Sequence, residues 1–301
     1  MIVIKYGGHA MEDTDGLFSK AVQATIDLGQ ECVIVHGGGP QIDAALKKAD
    51  INSTFLGGYR VTSVAAFAVV QAVLSSDVLR NLVAHLRARG INATGLTGRD
   101  GGLLIARRLR NLVDGTPAEL GEVGEIVRVD PTILRTLLAG GYLPVVSPIA
   151  TEGDEVEENS SVGLNVNADL AAGAIAGALS ADCLIFLTDV AGIYRNWPDA
   201  SSLITKISSS ELESLKDSFA EGIAPKVLAT LNAINSGAKS VRIIDGKDPE
   251  AFAFALSGIG GTLVVAGARN KMNFQRIGNR AYKAIMDCHL SRWCAEKVLS
   301  P

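Results

Sequence analysis

Short apolar runs alternate along the chain with longer stretches in which apolar residues recur every three or four positions. IVIKY at residues 2–6 is followed by GLFSKAVQATIDLG at 16–29, then CVIVH at 32–36, then a segment running from Pro40 through DAALKK. Runs of about five apolar residues between turn signals read as strands buried on both faces, and the longer stretches read as amphipathic helices covering them. Further strands are predicted at LPVVSP (143–148), CLIFLTD (183–189) and SVRIID (240–245), with helices at 64–87, 168–178 and 226–236. The alternation predicts an α/β fold with a largely parallel sheet covered by helices.

Residues 101–128 break this rhythm and predict short strands with turns, a hairpin on the sheet edge; residues 152–161 predict an acidic, turn-rich loop. The expected organisation is an N-terminal lobe (1–160), a C-terminal lobe (161–266) and a basic extension (267–301), with one sheet running through both lobes.

Composition narrows the function classes. The 301 residues are 48% hydrophobic, 20% charged and 5% aromatic, as in a globular domain rather than a disordered or fibrous chain. A net charge of -4 with a pI near 5.6 argues against a nucleic-acid partner, so any anion site must be local. No uninterrupted apolar run reaches the roughly 18 residues of a membrane span, and Met1 leads directly into a strand, so no membrane partner and a cytoplasmic location are expected. Cys32, Cys183, Cys288 and Cys294 lack paired CxxC spacing and read as buried thiols, with no protein-held metal expected.

The candidate chemistry lies at strand ends. There is no GxxxxGK[ST], because Gly246-Lys247 is followed by Asp248, and no GxGxxG follows the first strand. Glycines instead follow two successive strands, in KYGG (5–8) and HGGGP (36–40), where backbone N–H groups can turn toward an anion without Cβ obstruction. Asn165, Asn167 and Asp169 lead into an Ala-rich helix, more polar positions than an N-cap requires. Lys226 occupies the first turn of another helix, where it opposes the macrodipole unless an anion is nearby.

KYGGHAM, VIVHGGGPQID, GYRVT, GLTGRDGGLL, LNVNADLAAG, LTDVAGIY and GIAPKV occur in the order and approximate spacing of the amino acid kinase family. The chain resembles that family over roughly residues 1–265, most of all the members that phosphorylate N-acetylglutamate. The resemblance implies an open three-layer α/β/α sandwich with a mainly parallel central sheet, with acceptor binding and dimerisation in the lobe 1–160 and nucleotide binding in the lobe 161–266. It also implies ATP, with Mg2+ bound mainly through the nucleotide, and transfer to a side-chain carboxylate to give an acyl phosphate.

In that reading Lys5 and Lys226 neutralise charge on the transferred phosphoryl group, and Asp169 holds the two ammonium groups. Backbone N–H groups of Gly7, Gly8, Gly38 and Gly39 line the phosphoryl path, with Gly37 and Gly38 beside the acceptor. Arg60 grips a substrate carboxylate, Asn165 and Asn167 complete the acceptor site, and Thr188 and Asp189 end a strand at the nucleotide; Asp189 alternatively caps the next turn. A carboxylate acceptor is already ionised at pH 7, so no general base is needed and His36 reads as a bracing residue.

The departures from the family pattern are specific. His9 stands where the family commonly has asparagine, Glu221-Gly222 replaces a double glycine, and GIGGT (258–262) replaces GIGT. The first strand begins at residue 2, which argues for a homodimer over the ring hexamer of arginine-inhibited members. Beyond Val265 the chain holds seven Lys or Arg against two Asp or Glu, and Ile277, Ala281, Ile285 and Cys288 fall at helical spacing. That extension reads as a packing helix with a solvated basic face, or as a dock for an acidic carrier or regulatory protein. Three functions are therefore weighed: an N-acetylglutamate kinase of arginine biosynthesis, a kinase for carrier-bound glutamate or 2-aminoadipate, and a non-catalytic amino-acid-binding regulatory protein.

Overall fold

The computed structural model describes residues 1–7, 16–112, 115–154, 162–216, 219, 223–248 and 250–266. Gly8, His9, the Glu221-Gly222 pair, most of the acidic 152–161 loop and the extension 267–301 lie outside them.

In chain order the elements are β1 (Ile2–Tyr6), α1 (Leu17–Asp27), β2 (Cys32–His36), α2 (Gly39–Lys48), β3 (Phe55–Leu56), β4 (Tyr59–Arg60), α3 (Val64–Ala72), α4 (Leu79–Ala88), β5 (Ala93–Thr97), β6 (Leu104–Arg108), β7 (Val123–Val129) and α5 (Thr132–Ala139). There follow β8 (Leu143–Ser147), β9 (Ile149–Glu152), β10 (Gly163–Val166), α6 (Ala168–Ala178), β11 (Cys183–Thr188), β12 (Lys206–Ser208), α7 (Ser209–Leu215), α8 (Ala224–Asn235), β13 (Ser240–Asp245), α9 (Ala251–Leu256) and β14 (Thr262–Val265).

Eight strands form one sheet in the order β12-β14-β13-β11-β1-β2-β8-β5. All neighbours are parallel except β13 and β14, so the mainly parallel α/β sandwich stands. The central strands are buried on both faces, as their largely apolar runs require. Period-two alternation divides them between two cores. Val3, Val33, Val35 and Phe186 pack on one face with Ala172 and Ile175 of α6; Ile2, Ile4, Ile34 and Ile185 pack on the other with Phe18, Leu82 and Phe252.

The expected edge hairpin at 101–128 is not what forms. β6 and β7 pair with β9 and β10 in a small closed barrel separate from the main sheet, whose edges are β5 and β12. Closure removes the exposed edges that such short strands would otherwise present.

α3 and α4 are joined by a π-helical turn, Val73–Val78, into one 25-residue rod from Val64 to Ala88. By length and composition this rod could cross a membrane. In the fold, Val70, Leu74, Leu79 and Leu86 are buried in the protein core, while Asp77 and Arg80 are exposed on the same rod.

Candidate active site

Lys5 shares a strand face with Val3, the face covered by α6, so its side chain runs toward the first turn of that helix. α6 is capped not by Asp169 but by Asn167, whose side-chain oxygen accepts from the N–H groups of Asp169 (2.8 Å) and Leu170 (3.2 Å). Asp169 is thereby left for other work. One of its oxygens lies 3.0 Å from Lys5 Nζ and the other 3.9 Å from Lys226 Nζ. Lys226 reaches it from the first turn of α8.

The side chains of Lys5, Asp169 and Lys226 are 13%, 9% and 24% exposed. Burial pushes the Asp169 carboxyl up, but the Lys5 and Lys226 ammonium groups and the Lys5 hydrogen bond more than reverse this and hold it below the usual carboxylate range. Two ammonium groups on one carboxylate leave a net positive charge in a largely desolvated place, which an incoming anion would compensate.

A cavity of about 290 Å³ opens on one side of this trio, lined by Lys5, Gly37, Gly38, Gly39, Arg60, Asn165, Asn167 and Asp169. Gly38 and Gly39 bring the start of α2 to this lining, where the first N–H groups of a helix have no intrahelical acceptor. The Gly37 N–H is already engaged, donating to the Tyr6 carbonyl at 2.8 Å. A Cβ at Gly7 would lie 2.9 Å from Lys5 Nζ, so a side chain there would push the ammonium group from its place beside Asp169.

Arg60 is only 8% exposed, and its Nη1 donates to Asp43 Oδ1 at 2.6 Å and to Ser53 Oγ. The guanidinium lies 4.6 Å over the Phe55 ring. Asp43, Ser53 and Phe55 were missed in the sequence because nothing in their spacing relates them to Arg60. Asn165 Nδ2 donates weakly to Thr62 Oγ1 at 3.4 Å.

A second cavity, about 630 Å³, lies on the other side and is lined by Lys226, Asp189, Gly192, Tyr194 and Trp197 among others. Asp189 is 57% exposed and 3.9 Å from Lys247 Nζ. The Thr188 hydroxyl is engaged within its own turn, bonding the N–H and carbonyl of Val190. Tyr194 ends the LTDVAGIY motif with no role of its own read from it, and Trp197 lies outside every motif.

His36 is fully buried. Its Nδ1 lies 2.8 Å from the Gly37 carbonyl, an acceptor, so Nδ1 carries the proton and braces the glycine turn. Burial drives the imidazole pKa down to about 4, against the opposing pull of that bond, and it stays neutral at pH 7.

The chain has relatives among known proteins. Residues 1–245 match the family model described as the amino acid kinase family. The acetylglutamate kinase of Beutenbergia cavernae is 46% identical over 265 residues, covering 86% of this chain and 84% of that protein. The acetylglutamate kinase of Saccharopolyspora erythraea is 42% identical over 276 residues, covering 90% and 89%. The crystal structure of smu.665 from Streptococcus mutans UA159 superposes with a TM-score of 0.73 at 27% identity, covering 88% of this chain and 98% of that one. With its mainly parallel sheet, its glycine turns at adjacent strand ends and its matched length, this chain belongs to the amino acid kinase family.

Proposed function

We propose that the protein is an ATP-dependent kinase of the γ-carboxylate of N-acetyl-L-glutamate, yielding an acyl phosphate for arginine biosynthesis in the cytoplasm. One observation carries the reading. The partly buried Lys5-Asp169-Lys226 trio sits between two cavities, with Lys5 and Asp169 lining the smaller and Lys226 the larger. A small acceptor suits the first cavity and a nucleotide the second, so the phosphoryl group crosses at the trio.

Phosphoryl transfer needs alignment and charge stabilisation more than covalent help. The acceptor carboxylate attacks the γ-phosphorus while the bond to the ADP oxygen breaks. Lys5 and Lys226 stabilise the charge on the transferring group, and Asp169 keeps both ammonium groups aimed. The Gly38 and Gly39 amides add donors, Asp43 fixes Arg60 to receive the α-carboxylate, and Asn165 and Asn167 hold the rest of the acceptor. Neutral His36 takes no proton.

Among the described residues no cluster of three His, Cys, Asp or Glu side chains stands ready for a metal, and both Asp169 oxygens face ammonium groups. Those donors fit Mg2+ arriving with the nucleotide and liganded by its phosphate oxygens and water. When bound, the ion neutralises charge on the β and γ phosphates.

Trapping the product with hydroxylamine tests the reaction. Acyl hydroxamate should form with ATP, Mg2+ and free N-acetyl-L-glutamate; turnover confined to glutamate or 2-aminoadipate tethered to an acidic carrier, or no turnover with any acceptor, would overturn it.

A further inference from the structure

Among the described residues two aromatic side chains are more than half exposed, Phe55 at 61% and Trp197 at 60%. Phe55 already has a partner in the Arg60 guanidinium. Trp197 meets Tyr194 edge-on, with ring centroids 5.1 Å apart and planes at 66°. Such a contact covers at most one face of the indole.

Exposure of this kind usually goes with a loose loop, but the segment here is tied together. Ile204 N–H donates to the Ile193 carbonyl (2.8 Å), Arg195 N–H to the Ser202 carbonyl (2.9 Å) and Asn196 N–H to Ser202 Oγ (3.1 Å). Asp199 caps the short turn beyond, accepting from Ser201 N–H at 2.9 Å. The indole is thus an open apolar plane on a pre-organised hairpin, lining the cavity whose other lining includes Lys226.

We infer that Trp197, backed by Tyr194, is the stacking platform for the nucleotide base, and so selects a planar base-bearing phosphate donor over a bare polyphosphate. The inference rests on the phosphoryl-transfer reading and adds the residue that recognises the base. A π-face accepts any planar base, whereas Lys226 at the phosphate end senses only charge. Base recognition and phosphoryl chemistry are then separable by substitution.

The chain has two tryptophans, Trp197 and Trp293, so a Trp293→Phe protein reports on Trp197 alone. ATP is expected to change its emission saturably over the range that supports turnover. Inorganic tripolyphosphate should inhibit turnover yet leave the emission unchanged. Trp197→Ala should raise the KM for ATP roughly tenfold while the KM for the acceptor holds, and Trp197→Phe should recover most of the loss. Emission indifferent to ATP at concentrations that saturate turnover, or responding equally to tripolyphosphate, overturns the inference and leaves the reaction standing. ATP-dependent emission without acyl phosphate overturns the reaction and leaves the platform. The emission titration and the Phe variant decide the question even if the Ala variant does not fold.

Discussion

Asp169 is where the opposing forces on this site meet. A carboxylate so buried would be expected to protonate, and it stays ionised because two ammonium groups face it. Lys226→Ala should therefore lower kcat roughly 10²–10³-fold, the usual cost of removing one group aimed at transition-state charge. The KM for ATP should change far less, and a variant with unaltered turnover would remove Lys226 from the mechanism.

The same balance sets an acid limit on stability. Asp169 titrates lower in the folded chain than in the unfolded one, so its contribution is complete above about pH 4 and is lost as pH falls through the folded value. His36 acts earlier. Its pKa drops from 6.5 to about 4 on folding, so the unfolded chain takes up a proton that the folded one refuses, and stability declines from pH 6.5 downward. Thermal melts between pH 7 and 3 should show His36→Gln flattened between pH 6.5 and 4, and Asp169→Asn flattened only below that. Profiles parallel to the unsubstituted protein would refute the assignment.

At the scale of elements, the distance between Asp169 and Lys226 is set by how closely α6 and α8 approach. Gly173 and Gly177 permit the approach: a Cβ at Gly173 would lie 2.9 Å from the Ala229 carbonyl oxygen, and one at Gly177 only 2.3 Å from Ser236 Cβ. Gly177→Ala should cost about 1–3 kcal/mol by overpacking and should lower kcat as α8 carries Lys226 away. Calorimetry and steady-state rates read the two effects, and an unchanged melting temperature would mean the pair yields without strain.

Elements with strong signals were legible in the sequence. The central strands β1, β2, β8 and β11 each carry at least three consecutive apolar residues, β13 is an apolar stretch interrupted by Arg242, and α6 occupies the predicted 168–178. α8 starts at Ala224 rather than 226 because Pro225 is tolerated in a first turn, where no N–H partner is needed. The small barrel was not legible. β9 and β10 have four residues each and the β6–β7 register shifts between Ile105 and Ala106, so no sustained period-two pattern marks them. Local pattern also cannot tell an edge hairpin from two strands of a closed barrel.

Across the whole molecule, strands from the first half of the chain (β1, β2, β5, β8) and the second (β11, β12, β13, β14) share one sheet, and the trio draws Lys5 from one half and Asp169 and Lys226 from the other. Ligands that bind only this assembled site must stabilise the fold by mass action. ATP with Mg2+ at about 100-fold over its dissociation constant should add roughly 2.7 kcal/mol and raise the melting temperature by about 4 °C, with N-acetylglutamate adding its own increment. Absence of any shift with either ligand would contradict the site.

The sequence by itself determined the α/β alternation, the two glycine turns after successive strands and the unusual placement of Lys226, because each is written in local spacing and local charge. It also carried the ordered motifs of the family. Only the tertiary structure decided that Asn167 caps α6 and leaves Asp169 to the lysines, that Asp43 and Phe55 hold Arg60, and that Trp197 stands over the cavity lined by Lys226. A strand's period sets the face on which a side chain emerges and a helix cap sets where a turn begins. The distance between two such side chains depends on sheet register and helix packing across the whole molecule, which no local window contains.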